Sequence, residues 1–204
     1  MLEDGSVYEG TARGDFKETA CEIVFNTSMT GYVEILTDPS YAGQGVVMTY
    51  PMIGNYGISR EDFESERLQP SAFIVHELSS DPSNFRCTDT IENLLKEYNI
   101  PCISGVDTRA VVKKLRESGT MRGVLTSDIG DRERLMDVIK SFRQIDLVGS
   151  VTAKQTKVYG EENTGAEIAL MDFGTKRNII NNLVKRNCIV TVYPSFTSAD
   201  EIIK

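Results

Sequence analysis

The sequence is poor in metal-binding side chains: it has a single histidine, His76, and its four cysteines form no C-x-x-C pair. Structural zinc sites need several such ligands at short spacings, so the sequence predicts no metal site. The cysteines, which lie in or beside apolar runs, are Cys21, Cys87, Cys102 and Cys188. Because small thiols in apolar runs are usually buried, we expect four buried free thiols and no disulfide.

Long apolar runs and positive charge are also scarce. No stretch of about 18 apolar residues is present that could span a bilayer, and the first residues lack the basic and apolar regions of a secretory signal. We therefore expect a cytoplasmic protein with no membrane partner. Lys and Arg number 22 against 30 Asp and Glu, a formal charge of −8. Nucleic-acid binding normally depends on a basic face, so we expect no nucleic-acid partner.

The chain has 204 residues, more than a usual domain of roughly 100 to 150, which predicts one domain and part of another. Its first half has short apolar runs separated by Gly, Pro, Asp and Asn, as is typical of strands and turns. The predicted strands are 6–10, 21–25, 46–50 and 72–78. The segments 26–32 and 37–41 are rich in turn-forming residues, so we expect loops there.

Helical patterns follow. Thr88 or Asp89 can cap a helix with an apolar face that ends near Pro101, and a strand is predicted at 102–106. Asp107 stands where an N-cap belongs, and Gly119 supplies the stop of the next helix. Further along, we predict a strand and a helix, at 121–126 and 131–142 respectively.

The last segment alternates a strand, a helix and a strand, which predicts a βαβ unit. Two strands cannot form the doubly covered sheet to which such a unit belongs, so we expect the second domain to be incomplete in this chain. The predicted organisation is a mixed β/α domain at 1–150, a linker at 151–166 and a partial second domain at 167–204. The fold class is therefore α/β.

Catalytic residues are harder to find. Ser28 and His76 could in principle belong to a triad, but the sequence has no G-x-S-x-G elbow, and His76 falls within a predicted strand. Cys102 and Cys188 lack an adjacent base and oxyanion donors. We assign no catalytic residue within this chain.

Two adjoining runs, FNTSMTGY at 25–32 and EILTDPSY at 34–41, resemble the N-terminal domain of the carbamoyl phosphate synthetase small subunit. Shorter matches extend the resemblance over essentially the whole chain: TYP at 49–51, IGN at 53–55, SNFR at 83–86, DTR at 107–109, MDFG at 171–174 and KRNI at 176–179.

The resemblance implies a two-domain subunit, with a flavodoxin-like class I glutamine amidotransferase domain as its second part. The family's small subunit binds L-glutamine, forms a glutamyl thioester on a cysteine and sends ammonia to a large subunit. The large subunit uses ATP with Mg²⁺, and bicarbonate, to make carbamoyl phosphate for arginine and pyrimidine synthesis. The family's G-x-C-x-G-x-Q nucleophile and its His and Glu partners do not occur here, so we expect this chain alone to be inactive and to hold no cofactor.

One glutamine-binding position carries over from the resemblance, at Ser28. A short hydroxyl can donate to and accept from a zwitterionic amino acid. The structural alternative is that Ser28 only caps its loop. Asp107, which also falls in a matching motif, is already explained as a helix cap and receives no catalytic role.

Two other functions remain open. The chain could act mainly as a docking module that holds the amidotransferase domain against the large subunit, and this is compatible with the enzyme-subunit interpretation. A stand-alone hydrolase would need a nucleophile and a base within the chain, and the sequence offers neither.

Overall fold

The computed structural model describes residues 1–14, 16–143 and 146–203; Lys204, the end of the predicted second domain, lies outside the described residues. The strands are β1 (Thr11–Arg13), β2 (Thr19–Asn26), β3 (Gln44–Met48), β4 (Met52–Ile53), β5 (Ala72–Ile74), β6 (Glu77–Leu78), β7 (Cys102–Ser104), β8 (Met121–Leu125), β9 (Lys157–Tyr159), β10 (Glu167–Asp172) and β11 (Ile189–Pro194). The α-helices are α1 (Tyr32–Thr37), α2 (Ile91–Glu97), α3 (Thr108–Ser118), α4 (Arg132–Ser141), α5 (Leu147–Val151), α6 (Arg177–Val184) and α7 (Ala199–Ile202).

A six-stranded sheet in the order β1-β7-β5-β3-β2-β8 organises the first part of the chain. Its four inner strands are parallel, and β1 and β8 run antiparallel at the edges. Successive residues of β3 belong to opposite cores: Val46 and Met48 pack on one face, and Val47 on the other. A strand that is buried on both faces has a continuous apolar sequence, so the sequence pattern predicts this strand clearly.

The two faces of the sheet carry separate cores. Side chains of α1 and α2, including Tyr32 and Leu94, lie in the first core, and side chains of α3, including Leu115, lie in the second. A smaller cluster under α4 contains Leu135 and Ile139. The α/β class predicted from the sequence is confirmed.

A three-stranded sheet in the order β10-β11-β9 follows. β10 and β11 are parallel and joined through α6, so the predicted βαβ unit is observed. β9 lies inside the segment predicted as a linker and pairs antiparallel with β11. Val190 and Val192 of β11 pack with Ile180 of α6 in a small core of their own. The domain boundaries themselves remain a prediction.

Several local expectations are wrong. The first strand is at Thr11–Arg13 rather than 6–10, and the predicted strand 72–78 divides into β5 and β6, which belong to different sheets. The division occurs where His76 accepts a backbone hydrogen bond from Gly105 through its carbonyl oxygen. α1 was not predicted, because its turn-rich flanks conceal a short helix that forms by burying Tyr32, Val33 and Leu36.

The cysteine expectation is correct in part. The four thiols are free, but only Cys21 and Cys102 are buried, and Cys87 and Cys188 are half-buried. Each of the latter two lies in a loop next to polar backbone rather than within a strand. Within the described ranges, no helix is long and apolar enough to cross a membrane.

The cap predicted at Asp107 agrees with the structure, and the structure adds a cap at Asp131. The Asp107 carboxylate accepts a hydrogen bond from Ala110 N (2.9 Å), and Asp131 accepts one from Arg134 N (2.9 Å). The cap of α2 is one or two residues later than predicted, at Thr90, whose hydroxyl accepts a hydrogen bond from Asn93 N (3.2 Å).

We predict that Asp107→Ala lowers the free energy of unfolding by about 1 kcal/mol, because the first turn of α3 loses its side-chain acceptor. Asp107→Asn keeps an acceptor oxygen and should cost far less. Urea denaturation of the two variants measures the difference. Equal losses in both would show that the carboxylate acts through its charge rather than as a cap.

Candidate functional site

Ser28 lies in the loop 27–31 between β2 and α1. Its backbone N–H donates to Asn26 Oδ1 (2.7 Å), and Asn26 Nδ2 donates to the Tyr41 hydroxyl (2.9 Å). Asn26 therefore shapes this turn, and Ser28 is exposed. The Ser28 hydroxyl makes no hydrogen bond to the part of the chain that the structure describes, so it is accessible to a ligand.

A stacked tyrosine pair holds the end of this loop. The rings of Tyr32 and Tyr56 are 4.1 Å apart between centroids and inclined by 17°. The Tyr56 hydroxyl accepts from Gly31 N (2.6 Å) and Tyr32 N (3.2 Å), while the Tyr32 hydroxyl donates to Gly57 O (2.9 Å). The first amides of α1 are thus capped by a distant side chain rather than by a local one. Burial raises the pKa of both phenols, so they stay neutral hydrogen-bonding groups.

A charged cluster lies beside the tyrosine pair. Arg86 Nη2 contacts Asp62 Oδ1 (2.6 Å) and Glu61 Oε2 (3.3 Å). The half-buried Glu34 has a raised pKa, first because burial disfavours its charge and then because Asp62 and Glu64 repel it, while Arg86 acts in the opposite direction. Asp62 and Glu61 therefore share one guanidinium, and with Glu34 beside them the cluster is acidic.

Polar contacts of Asp38 and Glu64 join the first part of the chain to the α6 region, and we call them the junction. Lys176 Nζ lies 2.7 Å from Asp38 Oδ2. The buried Glu64 carboxylate accepts from Asn178 N (3.0 Å) and Asn178 Nδ2 (2.8 Å). Arg177 N also donates to the Glu64 carbonyl oxygen (2.7 Å). The side-chain contacts of the junction are charge-assisted hydrogen bonds, which are stronger than neutral ones, and the Arg177 contact adds a backbone hydrogen bond.

The turn 38–40 is part of this junction. Asp38 Oδ1 accepts from Ser40 N (2.9 Å), so one carboxylate holds both the turn and Lys176. Gly174 is so close to Pro39 that a Cβ added to it would lie 3.0 Å from the proline Cβ. Ser40 is exposed at this boundary, whereas Ser28 makes no hydrogen bond to the α6 region among the described residues. The sequence pattern predicts Ser40 only as a loop residue, although Ser40 lies in the run EILTDPSY at 34–41 that resembles the family.

A cavity of about 400 Å³ lies elsewhere. Its lining includes Ile23, Val47 and Ile74, which belong to the core on the α3 face, opposite the tyrosine pair. The cavity wall is mostly apolar, with Glu9 as its charged residue. It contains neither Ser28 nor Ser40 and does not contribute to the site around them.

Among the described residues, no cysteine thiol is hydrogen-bonded to a side-chain base. Desolvation raises the pKa of Cys21 and of Cys102 to about 12, so these thiols stay protonated and unreactive at neutral pH. The His76 ring lies with Nδ1 3.1 Å from Val106 O, and no hydrogen bond joins it to Ser28 in the described ranges. No group of three or more potential metal ligands occurs among the described residues.

Comparison with known proteins gives one family. The family described as carbamoyl-phosphate synthase small chain, CPSase domain, matches residues 1–125. The chain belongs to the carbamoyl-phosphate synthase small chain family. The family assigned by resemblance is therefore confirmed.

Relatives named carbamoyl phosphate synthase small chain match along the whole sequence. The small chain of Clostridium perfringens is 47% identical over 205 residues, covering 100% of this chain and 58% of the relative. That of Archaeoglobus fulgidus is 46% identical over 206 residues, covering 98% and 57%. That of Listeria innocua is 45% identical over 204 residues, covering 100% and 56%. This chain thus spans somewhat more than half the length of these small chains.

In this member of the small chain family, we predict that Glu64→Ala loosens α6. The change leaves the N–H groups of Asn178 without their acceptor, at a cost of about 1–3 kcal/mol. Hydrogen–deuterium exchange should become faster at the start of α6. Glu66→Ala, an exposed glutamate of the same segment, is the matched control and should leave exchange unchanged. If the α6 amides were equally protected from exchange in both variants, a stabilising role for the junction would be ruled out.

The raised pKa of Glu34 predicts a pH-dependent effect of Glu34→Gln. Above the raised pKa the folded protein holds a disfavoured charge, so the neutral variant should be the more stable at pH 7. Below the ordinary value of 4.5 the carboxyl is protonated in both folded and unfolded states, and the gain should disappear. Urea denaturation at pH 7 and pH 4 tests this. Glu61→Gln, whose side chain is 85% exposed, should show little change at either pH.

Proposed function

We propose that this chain is part of the small subunit of a cytoplasmic, glutamine-dependent carbamoyl phosphate synthetase. The complete subunit would hydrolyse L-glutamine and deliver ammonia to a large subunit. The large subunit would use ATP with Mg²⁺ and bicarbonate to make carbamoyl phosphate for arginine and pyrimidine synthesis. The observation that carries the proposal is the 45–47% identity to carbamoyl phosphate synthase small chains along 98–100% of this chain.

The chemistry of glutamine hydrolysis would lie outside this chain. Thioester formation needs an activated thiolate with a base beside it, and Cys21 and Cys102 are buried with pKa values of about 12. Cys87 contacts only the Asp89 carbonyl oxygen (3.4 Å) among described polar groups. We therefore propose that the first domain contributes binding and positioning, and that the chain alone does not turn over glutamine.

Two serines are candidates for a glutamine contact. Ser28 is the position proposed from the family motif, and its exposed hydroxyl can hydrogen-bond an amino acid. Ser40 competes with it for a geometric reason. A glutamine held by the second domain can be reached from the first only near their boundary, and the turn that contains Ser40 is fixed there by Asp38 and Lys176.

Alanine variants of the two serines in the complete small chain, paired with its large subunit, separate the candidates. Replacing the serine that contacts glutamine should raise the KM for glutamine about tenfold, because one hydrogen bond to a charged ligand is lost. Carbamoyl phosphate synthesis from ammonia should be unchanged, since that reaction does not use the glutamine site. The other serine variant acts as the matched control.

The outcomes are distinct. A glutamine effect in Ser28→Ala alone would support the motif-based proposal, and an effect in Ser40→Ala alone would replace it. If neither variant changes glutamine kinetics, no serine of these two loops binds the substrate. If the paired proteins make no carbamoyl phosphate from either nitrogen source, the proposed function itself is wrong.

The docking-module function receives support from a different part of the surface. Met29 and Phe85 are exposed on loops that the rest of the fold holds in place, and a partner protein could bury their side chains. This role and the enzyme-subunit role can both hold for the same subunit.

A further inference from the structure

Two neighbouring loops present large apolar side chains to solvent. Phe85 is 96% exposed and Met29 is 68% exposed. Both loops are attached to the segment 55–57: Gly31 N donates to the Tyr56 hydroxyl (2.6 Å), and Ser83 N donates to Asn55 O (2.9 Å). Isolated exposed apolar residues are ordinary, but two that lie on adjacent loops form the start of an interaction surface.

The Phe85 loop is held in its conformation by its own polar groups. Asn84 Oδ1 accepts from Arg86 N (2.8 Å), and Asn84 O accepts from Cys87 N (3.0 Å). The Arg86 side chain is fixed by Asp62 at 2.6 Å. A loop that is already ordered loses little conformational freedom on binding, so it can offer an aromatic anchor at low entropic cost.

The same charged cluster borders both loops. A Cβ at Gly31, two residues after Met29, would lie 3.7 Å from Glu34 Oε2. Arg86, next to Phe85, acts electrostatically on that same Glu34 carboxyl. Met29 and Phe85 therefore flank one group of charges rather than lying on separate sides of the molecule.

The sign of this cluster limits what can bind. Among the described residues of this cluster, Glu34, Glu61 and Asp62 outnumber the cation Arg86, which is already paired with Asp62. Such a surface repels nucleic-acid phosphates, and it repels a second copy of itself. It complements a protein surface that has an apolar pocket surrounded by Lys or Arg side chains.

We propose that Met29, Phe85 and the carboxylates of Glu34, Glu61 and Asp62 form a docking surface for the large subunit. Phe85 enters an apolar pocket of that subunit, and cationic side chains at the rim of the pocket face the carboxylates. This inference rests on the proposed function, because the large subunit is the partner named there.

The test uses Phe85→Ala in the complete small chain, with binding to the purified large subunit measured by surface plasmon resonance. Loss of an aromatic anchor at the centre of an interface weakens binding about 30-fold, and we expect an effect of that size. Phe196→Ala is the matched control, because Phe196 is also exposed (75%) but lies in the α6–α7 part of the chain. It should change the dissociation constant less than about twofold.

Glu61→Lys provides an independent second variant that does not depend on an apolar contact. Reversing a rim charge should slow association about tenfold at low salt, and the difference should shrink as salt is raised. Circular dichroism of each variant confirms that the fold is kept, which is expected because both side chains are largely exposed.

The outcomes distinguish an error in the proposed docking surface from an error in the proposed partner. If wild type binds the large subunit and both variants bind equally well, the docking surface is wrong while the proposed function stands. If wild type does not bind the large subunit, the partner is wrong and the proposed function fails with it. If Phe85→Ala instead abolishes self-association of the small chain, the surface joins two copies and our assignment of its occupant is overturned.

Discussion

The four parallel strands at the centre of the large sheet impose the constraint on which the rest of the structure depends. β2, β3, β5 and β7 are adjacent in that order, so the chain moves across the sheet in a single direction. Connections between parallel strands are almost always right-handed, and successive right-handed connections in one direction lie on the same face. The three connections, at 27–43, 49–71 and 75–101, accordingly supply the core that contains Tyr32, Phe63 and Leu94.

This arrangement explains why distant residues meet. The first connection carries Ser28 and Ser40, the second carries Tyr56 and Glu64, and the third carries Phe85. Because all three lie on one face, the tyrosine stack can join the first to the second, and Arg86 can reach the acids of the second. The opposite face, with α3, remains an apolar core with a cavity. In our proposals, substrate positioning and subunit docking both use the face on which the connections gather.

The junction shows how the two parts of the chain are joined by a few polar contacts. Asp38 and Glu64 are both buried carboxylates, and each receives donors from residues just before or within α6. Burying a carboxylate is costly unless donors satisfy it, so these residues favour the arrangement in which Lys176 and Asn178 are close. The position of the turn that holds Ser40 is therefore coupled to the position of α6.

The sequence by itself determined the α/β class, the helix cap at Asp107, the βαβ unit and the family. These follow from local signals: apolar periodicity, short-range hydrogen bonds and matching runs of residues. Only the tertiary structure decided that α1 is a helix, that 72–78 divides between two sheets, and that 157–159 pairs with β11. It also decided which loops lie together, because Tyr56 caps α1 from 24 residues away and Glu64 binds Asn178 from 114 residues away. Contacts between residues so far apart leave no periodic or local pattern in the sequence, since folding alone brings their hydrogen-bonding groups within reach.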